Sequence, residues 1–321
     1  MWCRLSWRTV NWLEVLSGAV AGNVETDVLL AEKSTFRIGG PADAVLNPAT
    51  PADVAAAVLV ARDEGVRWMV LGLGSNVLFA DKGFRGLLIK PGREMAQLEQ
   101  SPERPANWYV GAGLPLPILA RRTARAGWGG VHSLIGVPGA LGGGVAMNAG
   151  AHGQDLASVA RSVDLVTVEG DIVSREGSEI DWQYRNGNLG AAIVVGATLE
   201  LVEADPAVLD GDIRANLEWR KEETPFDRPC CGSVFKNPKN PPRDKMGEMT
   251  AGRLIEATGM KGMMVGGARV SDKHANYIVN VDNARAQDVL ELIDLAKEQV
   301  YKKFEVELEL EVKVIQESED R

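Results

Sequence analysis

Residues 135–150 read IGVPGALGGGVAMNAG, six glycines in sixteen positions. No strand interior and no long helix suits that density, because ordering glycine costs more backbone freedom than ordering any other residue. Such a stretch favours tight turns and a close approach of backbone to something else. Two further segments share the feature, RIGGPAD at 37–43 and GLGSN at 72–76. Successive amides in glycine-rich turns form anion-binding nests, and GLGSN ends the apolar, strand-like run RWMVLGLG. Tight turns alone would account for any one of the three. GLGSN is not a dinucleotide fingerprint, because Val77 stands where G-x-G-x-x-G needs its last glycine, and no P-loop G-K-[ST] is present. Ala140–Asn148 is expected to be a helix with a glycine-packed start. The partial positive charge of a helix N-terminus suits a pyrophosphate or an electron-rich ring there; close helix-to-strand packing explains the same glycines.

Strands and helices alternate around these segments. DAVLNP reads as a short strand. TPADVAAAVLVARDEG reads as a helix with Thr50 as N-cap, Pro51 at its first position and Gly65 as its stop. GFRGLLIKP and NWYVGAG read as strands, and LPILARRTARAGWGG as a helix with Leu116, Leu119 and Ala120 on one face. SVDLVTVEG and DIVSRE form a hairpin with Glu169, Gly170 and Asp171 at its tip. AAIVVGATLELVEA is a strand in which Gly196 marks a bulge. Composition becomes more charged after ADPAVLDGD, which puts a domain boundary near residue 205. Beyond it come the helix VLDGDIRANLEWRKEE, the helix AGRLIEATG capped by Thr250 and the strand NYIVN. The long helix ARAQDVLELIDLAKEQVYKKF and a closing strand, EVELELEVKVI, complete the chain.

The 321 residues are 45% hydrophobic and 25% charged, as in an ordinary soluble protein with a sizeable core. A net charge of −9 argues against a nucleic-acid partner. Three cysteines, two of them adjacent (Cys230 and Cys231), make no disulfide framework and point to a reducing cytoplasm. No apolar run of about 18 residues suggests a membrane span, and Met1–Leu16 lacks a signal-peptide pattern. His132, His152 and His274 have no metal-like spacing, so no metal is expected.

Ser233, in CCGSVFKNP, raises a chemical question. It is not in a G-x-S-x-G elbow, although spacing leaves a Ser-His-Asp arrangement through His274 open. Alternatively it donates a proton. A serine hydroxyl does so only where a strong base such as a carbanion develops beside it. Hydride addition to a conjugated alkene creates one, and a flavin is the usual hydride source.

Eight collinear segments then carry a resemblance: STFRIGGPAD, VLGLGSNVLFADKGFRGLLIK, GVPGALGGGVAMNAGAHG, YRNG, GSVFKNP, AGRLIEATGMKG, GGARVSDKHANYIVN and LELEVKVI. Together, from about residue 34 to residue 315, they resemble the UDP-N-acetylenolpyruvoylglucosamine reductases (UDP-N-acetylmuramate dehydrogenases). The resemblance implies an α+β fold: an FAD-binding fold of the vanillyl-alcohol-oxidase type, in two α+β subdomains, with a C-terminal α+β substrate domain. It divides the chain into an extension at 1–22, the FAD domain at 23–205 (split near 95) and a substrate domain at 206–321. It implies non-covalent FAD, NADPH as co-substrate, a UDP-sugar substrate, and a cytoplasmic, monomeric enzyme of peptidoglycan synthesis. Arg185, after Tyr184, then pairs with the substrate carboxylate. Ser233 gives the proton, and Glu311 polarises the carboxylate as a protonated donor, which needs a pKa raised by burial.

The implied cofactor residues are Arg37, Gly72, Gly74, Ser75, Asn76, Gly136, Pro138, Gly139, Gly142, Asn148, Ala149, Gly150 and Arg220. The implied substrate residues are Tyr184, Lys236, Asn237, His274 and Asn276. Without the resemblance, Arg185 reads as a solvated loop residue. Glu305, Glu307, Glu309 and Glu311 read as one wet acidic face of a strand. Another oxidoreductase of the same FAD fold, or an inactive nucleotide-binding paralogue, is the alternative. The short separation between Arg185 and Ser233 resembles the class lacking an extra tyrosine-bearing loop. The chain departs from the family at Thr224, where glutamine is usual, at Ser34, where asparagine is usual, and at Cys230–Cys231, where a peroxide-sensitive thiol pair is conceivable.

Overall fold

The computed structural model describes residues 6–225 and 227–316; Cys3 and the acidic tail beyond residue 316 lie outside them. The chain forms two compact units that are not contiguous in sequence. The first takes in the chain up to Val28, Ala42–Leu73 and Arg85–Glu218; the second takes in Leu29–Pro41, Gly74–Phe84 and the chain from Trp219. This differs from a linear cut at 205. The composition shift there marks the start of a helix, Pro206–Glu223, which runs through the change of unit at 218.

In the first unit, helix α1 (Ser6–Ala19) buries Trp12 and Leu16 in a core shared with α2 (Pro51–Asp63). Trp12 and Leu16, within the expected N-terminal extension, are thus part of this core. α2 begins as its sequence demands. The Thr50 hydroxyl accepts the Asp53 N–H at 3.3 Å, the Asp53 carboxylate accepts the Thr50 N–H at 3.3 Å, and Pro51 stands at the first turn. α2 ends before Gly65, whose φ of 63° is the left-handed stop that glycine adopts without cost.

A four-stranded sheet carries the strands Asn23–Leu29, Pro41–Asn47, Phe84–Ile89 and Trp68–Val70 in that spatial order. A five-stranded antiparallel sheet runs Ile172–Glu176, Ala160–Val166, Ile193–Glu200, Asn107–Gly111 and Leu98–Gln100. Against it packs a core that includes Leu116 and Leu119 of α3 (Leu116–Arg125) and Leu141 and Val145 of α4 (Leu141–Ala146). The register slips beside Gly196, between its pairing with Asp164 and that of Val194 with Leu165, so the extra residue is Val195. Gly196 has a different task, because a Cβ there would lie 2.5 Å from the Tyr109 hydroxyl. The fifth helix, α5 (Pro206–Glu223), buries Leu209 and Ile213 against Ala120 and Ala124 of α3.

The second unit is built on α6 (Ala251–Ala257) and α7 (Ala286–Phe304). Its core joins Leu254, Ile255, Val289, Leu292 and Ile293 of these helices to Phe36, Ile38 and Leu78, which are far away in sequence. Thr50 has a counterpart here in Thr250, whose hydroxyl accepts the Arg253 N–H at the start of α6. A three-stranded sheet runs Met264–Val265, Ala268–Val270 and Ile278–Asn280. The closing segment differs from expectation. Only Lys313–Ile315 is a strand, paired in parallel with Val77–Phe79. Residues 305–312 are irregular apart from a bridge between Phe235 and Leu310, because the segment facing them offers only a short edge.

Candidate active site

In the first unit, Gln183 and Asn186 exchange backbone hydrogen bonds of 2.9 and 3.1 Å, leaving Tyr184 and Arg185 at the tip of a tight turn. Arg185 has φ 58°, a left-handed conformation uncommon for a residue with a long side chain. Its guanidinium lies 5.2 Å from the centre of the Tyr184 ring and donates to the Gly150 carbonyl at 3.2 Å. The turn is pinned to the end of α4. Gly187 N–H donates to the Ala146 carbonyl at 2.9 Å, and a Cβ on Gly187 would stand 2.4 Å from the Val145 oxygen. The Asn148 amide donates to the Gln183 carbonyl at 3.2 Å, while its oxygen accepts the Ala157 N–H at 3.0 Å. Arg185 and Tyr184 are therefore brought together with Asn148, Ala149 and Gly150.

The glycines of this unit divide into two kinds. Gly142 serves packing: its N–H donates to the Ala112 carbonyl at 2.9 Å, and a Cβ there would press on the Ala112 side chain at 3.1 Å. The Leu141 N–H is likewise taken, by Leu114. The start of α4 is thus stitched to its neighbour, and the expectation that its amides face a pyrophosphate gives way to close packing. Gly136, Pro138 and Gly139 form the loop into α4, and Gly139 has φ 147°. Gly72 and Gly143 are of the other kind, since a Cβ at either would meet nothing within 4 Å. The chain's own packing does not require glycine there, and the open space suits a group laid against the backbone. The Ser133 hydroxyl, 3% exposed and without a hydrogen-bond partner among the described residues, adds a buried polar group just before this loop. Nothing in the sequence singled it out. These observations fit a bound cofactor.

The second unit gathers Gly74, Ser75, Asn76, Ser233 and Glu311. Gly74, at φ 67°, is needed because a Cβ would strike the Lys33 carbonyl at 2.3 Å. Gly232, at φ 81°, turns the chain beside the Ser75 carbonyl, 3.6 Å from where its Cβ would be. Thr35 donates to the Cys230 carbonyl at 2.7 Å. After Ser233, the Val234 carbonyl accepts the Glu311 N–H at 2.8 Å. The Asn76 amide donates to the Glu311 carbonyl at 3.0 Å, and the Asn76 carbonyl accepts the Lys313 N–H at 3.1 Å. Glu305, Glu307 and Glu309 are exposed, whereas Glu311 is half-buried. The period-two pattern hid that distinction. Arg37 is exposed at φ 55°, and Arg220, in the last turn of α5, lies close enough for its charge to act on the Cys230 thiol.

The expected substrate residues of this unit have structural engagements. Lys236 reaches the exposed Glu309 carboxylate at 3.6 Å. The Asn237 oxygen accepts the Ala251 N–H at 3.1 Å, at the start of α6. Asn276, 4% exposed, uses both ends of its carboxamide on the Phe235 backbone. His274 Nδ1 accepts the Asn276 N–H at 3.1 Å, and no hydrogen bond joins His274 to Ser233 among the described residues. The hydrolase arrangement through His274 therefore has no geometric support. Burial pushes the His274 pKa down, against the opposing pull of Glu223. Burial also pushes up both cysteine thiols, and Cys231 lies in the core. Such thiols are poor nucleophiles, which argues against a peroxide-sensitive pair. Thr224 is buried, with its N–H on the Arg220 carbonyl at 2.9 Å, and Ser34 is buried with its hydroxyl on the Ile38 carbonyl at 3.3 Å.

Residues 42–175 match the FAD binding domain family, and residues 224–315 match the C-terminal domain of UDP-N-acetylenolpyruvoylglucosamine reductase. A UDP-N-acetylenolpyruvoylglucosamine reductase from Heliobacterium modesticaldum is 42% identical over 291 residues, 90% of each chain. The crystal structure of the reductase from Thermus caldophilus superposes with a TM-score of 0.76 at 33% identity, over 91% of this chain and 99% of that one. A berberine bridge enzyme variant shares the fold alone, at TM-score 0.50 and 15% identity, over 61% of this chain and 44% of that one. The architecture is α+β, an FAD-binding fold of the vanillyl-alcohol-oxidase type followed by the reductase C-terminal domain. With matches that run the length of both units, the chain belongs to the UDP-N-acetylenolpyruvoylglucosamine reductase family.

Proposed function

We propose that this chain reduces UDP-N-acetylglucosamine enolpyruvate to UDP-N-acetylmuramate with NADPH, through non-covalently bound FAD, in peptidoglycan precursor synthesis. The observation that carries the reading is the seating of Ser233 and Glu311 on segments joined by the 2.8 Å bond from the Glu311 N–H to the Val234 carbonyl, with Asn76 holding Glu311 from the other side. The backbones at Gly72, Gly74–Asn76, Gly136, Pro138, Gly139 and Asn148–Gly150 would hold the cofactor, with the cations of Arg37 and Arg220 serving its diphosphate. When bound, the flavin supplies hydride chemistry, accepting from NADPH and delivering to the terminal carbon of the enol ether.

The chain's own groups do the rest. Arg185 pairs with the substrate carboxylate and stabilises the charge that spreads into it. Its contact with Gly150 and its seat over Tyr184 limit the directions in which the guanidinium can point. Glu311 shares the work on that carboxylate. Ser233 gives its proton to the ether-bearing carbon, where a base strong enough to take it develops only after hydride has arrived. A cytoplasmic, monomeric enzyme belongs to this reading, and equilibrium sedimentation tests the second point.

The experiment is a spectrum. Purified protein should be yellow, lose its flavin absorbance anaerobically with NADPH, and regain it on addition of the enolpyruvyl UDP-sugar. A colourless preparation that FAD does not reconstitute would refute the proposal. A reduced flavin that oxygen reoxidises and the UDP-sugar does not would instead point to another oxidoreductase of this fold.

A further inference from the structure

Asn276 occupies a place where burial favours an apolar side chain, since it is 4% exposed in the second unit. Its carboxamide serves one residue twice: Oδ1 accepts the Phe235 N–H at 2.9 Å, and Nδ2 donates to the Phe235 carbonyl at 2.8 Å. Its own backbone carbonyl accepts the Val234 N–H at 2.9 Å. The opposite edge of the same short segment is also held. The Val234 carbonyl accepts the Glu311 N–H at 2.8 Å, and the Lys236 N–H donates to the Glu309 carbonyl at 2.9 Å. Residues 234–236 are thus held by hydrogen bonds between Glu309–Glu311 on one side and Asn276 on the other. The asparagine side chain takes the place of a missing strand. Asn276 is itself steadied by His274 Nδ1, which accepts its N–H at 3.1 Å.

We infer that Asn276 is a positioning residue: its two-point grip on the Phe235 backbone fixes where Ser233 presents its hydroxyl. This rests on the reading of Ser233 as proton donor. The chemistry of the grip is specific. Phe235 offers one donor and one acceptor, and only a group with one of each, at carboxamide spacing, satisfies both. A carboxylate would set a second acceptor against the Phe235 carbonyl, and an apolar side chain would leave two buried backbone groups unpaired. A neutral carboxylic acid, with one O–H and one C=O, restores the match.

The test uses Asn276→Asp holoenzyme and follows the two half-reactions separately by stopped flow. At alkaline pH, bleaching by NADPH should stay within about twofold of the parent, while reoxidation by the enolpyruvyl UDP-sugar slows by one to two orders of magnitude, as for a loosened general acid. As pH falls and the new carboxyl takes up its proton, the ratio of the variant's reoxidation rate to the parent's, measured at each pH, should rise toward one. If Asn276→Asp does not yield folded holoenzyme, Asn276→Gly removes the grip with little steric demand and should slow reoxidation alone. Equal loss in both half-reactions, no loss in either, or failure of both variants to fold would overturn the inference. Failure of the parent itself to be reoxidised by the UDP-sugar would instead sink the functional reading beneath it.

Discussion

A hydroxyl one residue from a clamped backbone is a weak acid held in a fixed place, and that combination sets what Ser233→Ala should do. The alanine removes the proton without disturbing the bonds of Val234 and Phe235, which are made by backbone atoms. Bleaching of the flavin by NADPH should be unchanged. Reoxidation by the substrate should slow by about two to four orders of magnitude, the usual contribution of a positioned proton donor. Equal slowing of both half-reactions, measured by stopped-flow absorbance, would contradict the role. At this scale the sequence was only partly legible. Ser233 stood out through its glycine-flanked setting, but Arg185 looked like a loop residue because a left-handed φ of 58° leaves no local signature. Glu311 was hidden in a period-two run of four glutamates. What separates it is its half-buried position and the grip of Asn76, a residue more than two hundred positions away.

Helices were legible because their signals are local, yet their caps do more than the sequence admits. Thr50, Pro51 and Gly65 announce both ends of α2. Asp53, which the sequence did not mark, completes the capping box at its start. In the fold its carboxylate also accepts the N–H groups of Ala21 at 2.9 Å, Gly22 at 3.0 Å and Ala49 at 2.7 Å, so it ties the turn after α1 to the start of α2. Asp53→Ala should therefore cost about 2–3 kcal/mol, more than an ordinary cap, because it strips several partly buried donors of a charged acceptor. Urea unfolding checks this, and a loss below about 1 kcal/mol would show that water replaces the carboxylate.

The turn bearing His274 gives a pH prediction. Burial lowers its pKa below the ordinary 6.5, with Glu223 and Glu256 opposing and Lys261 assisting. The unfolded chain then binds the proton more readily than the folded one. Stability from this group is full above about pH 6.5 and is lost as pH falls through the lower folded value. His274→Gln should flatten that part of the stability–pH curve. An unchanged slope between the parent and the variant would remove His274 as its cause. The closing segment was misread for a related reason. Alternation at 305–312 is real, but a strand needs a long partner edge, and Val234–Lys236 supplies only a short one.

For the whole molecule, linear order is a poor guide to what folds together. The composition shift near 205 and the family match beginning at 224 both suggest that the C-terminal part is self-contained. Its core says otherwise. Phe36 and Ile38 from one early segment and Leu78 from another are each no more than 2% exposed and belong to the same cluster as Leu254, Val289 and Leu292. Val77–Phe79 is the parallel partner of Lys313–Ile315, and Asp81 accepts the Ala286 N–H at 2.7 Å at the start of α7. A fragment of residues 206–321 would lose three large apolar side chains from its core, the partner of its last strand and the Asp81 acceptor at the start of its longest helix. Each buried apolar side chain is worth about 1.5–3 kcal/mol, so the missing three alone rival the net stability of a small domain. The fragment should show no cooperative thermal transition and should expose amides throughout α7 to rapid hydrogen exchange. Supplying residues 29–84 as a separate chain should restore protection in α7 at Ala286 and its neighbours, because the missing strand, core side chains and Asp81 acceptor all lie in that stretch. Cooperative unfolding of 206–321 alone, seen by calorimetry, would show that the early segments decorate this core rather than complete it.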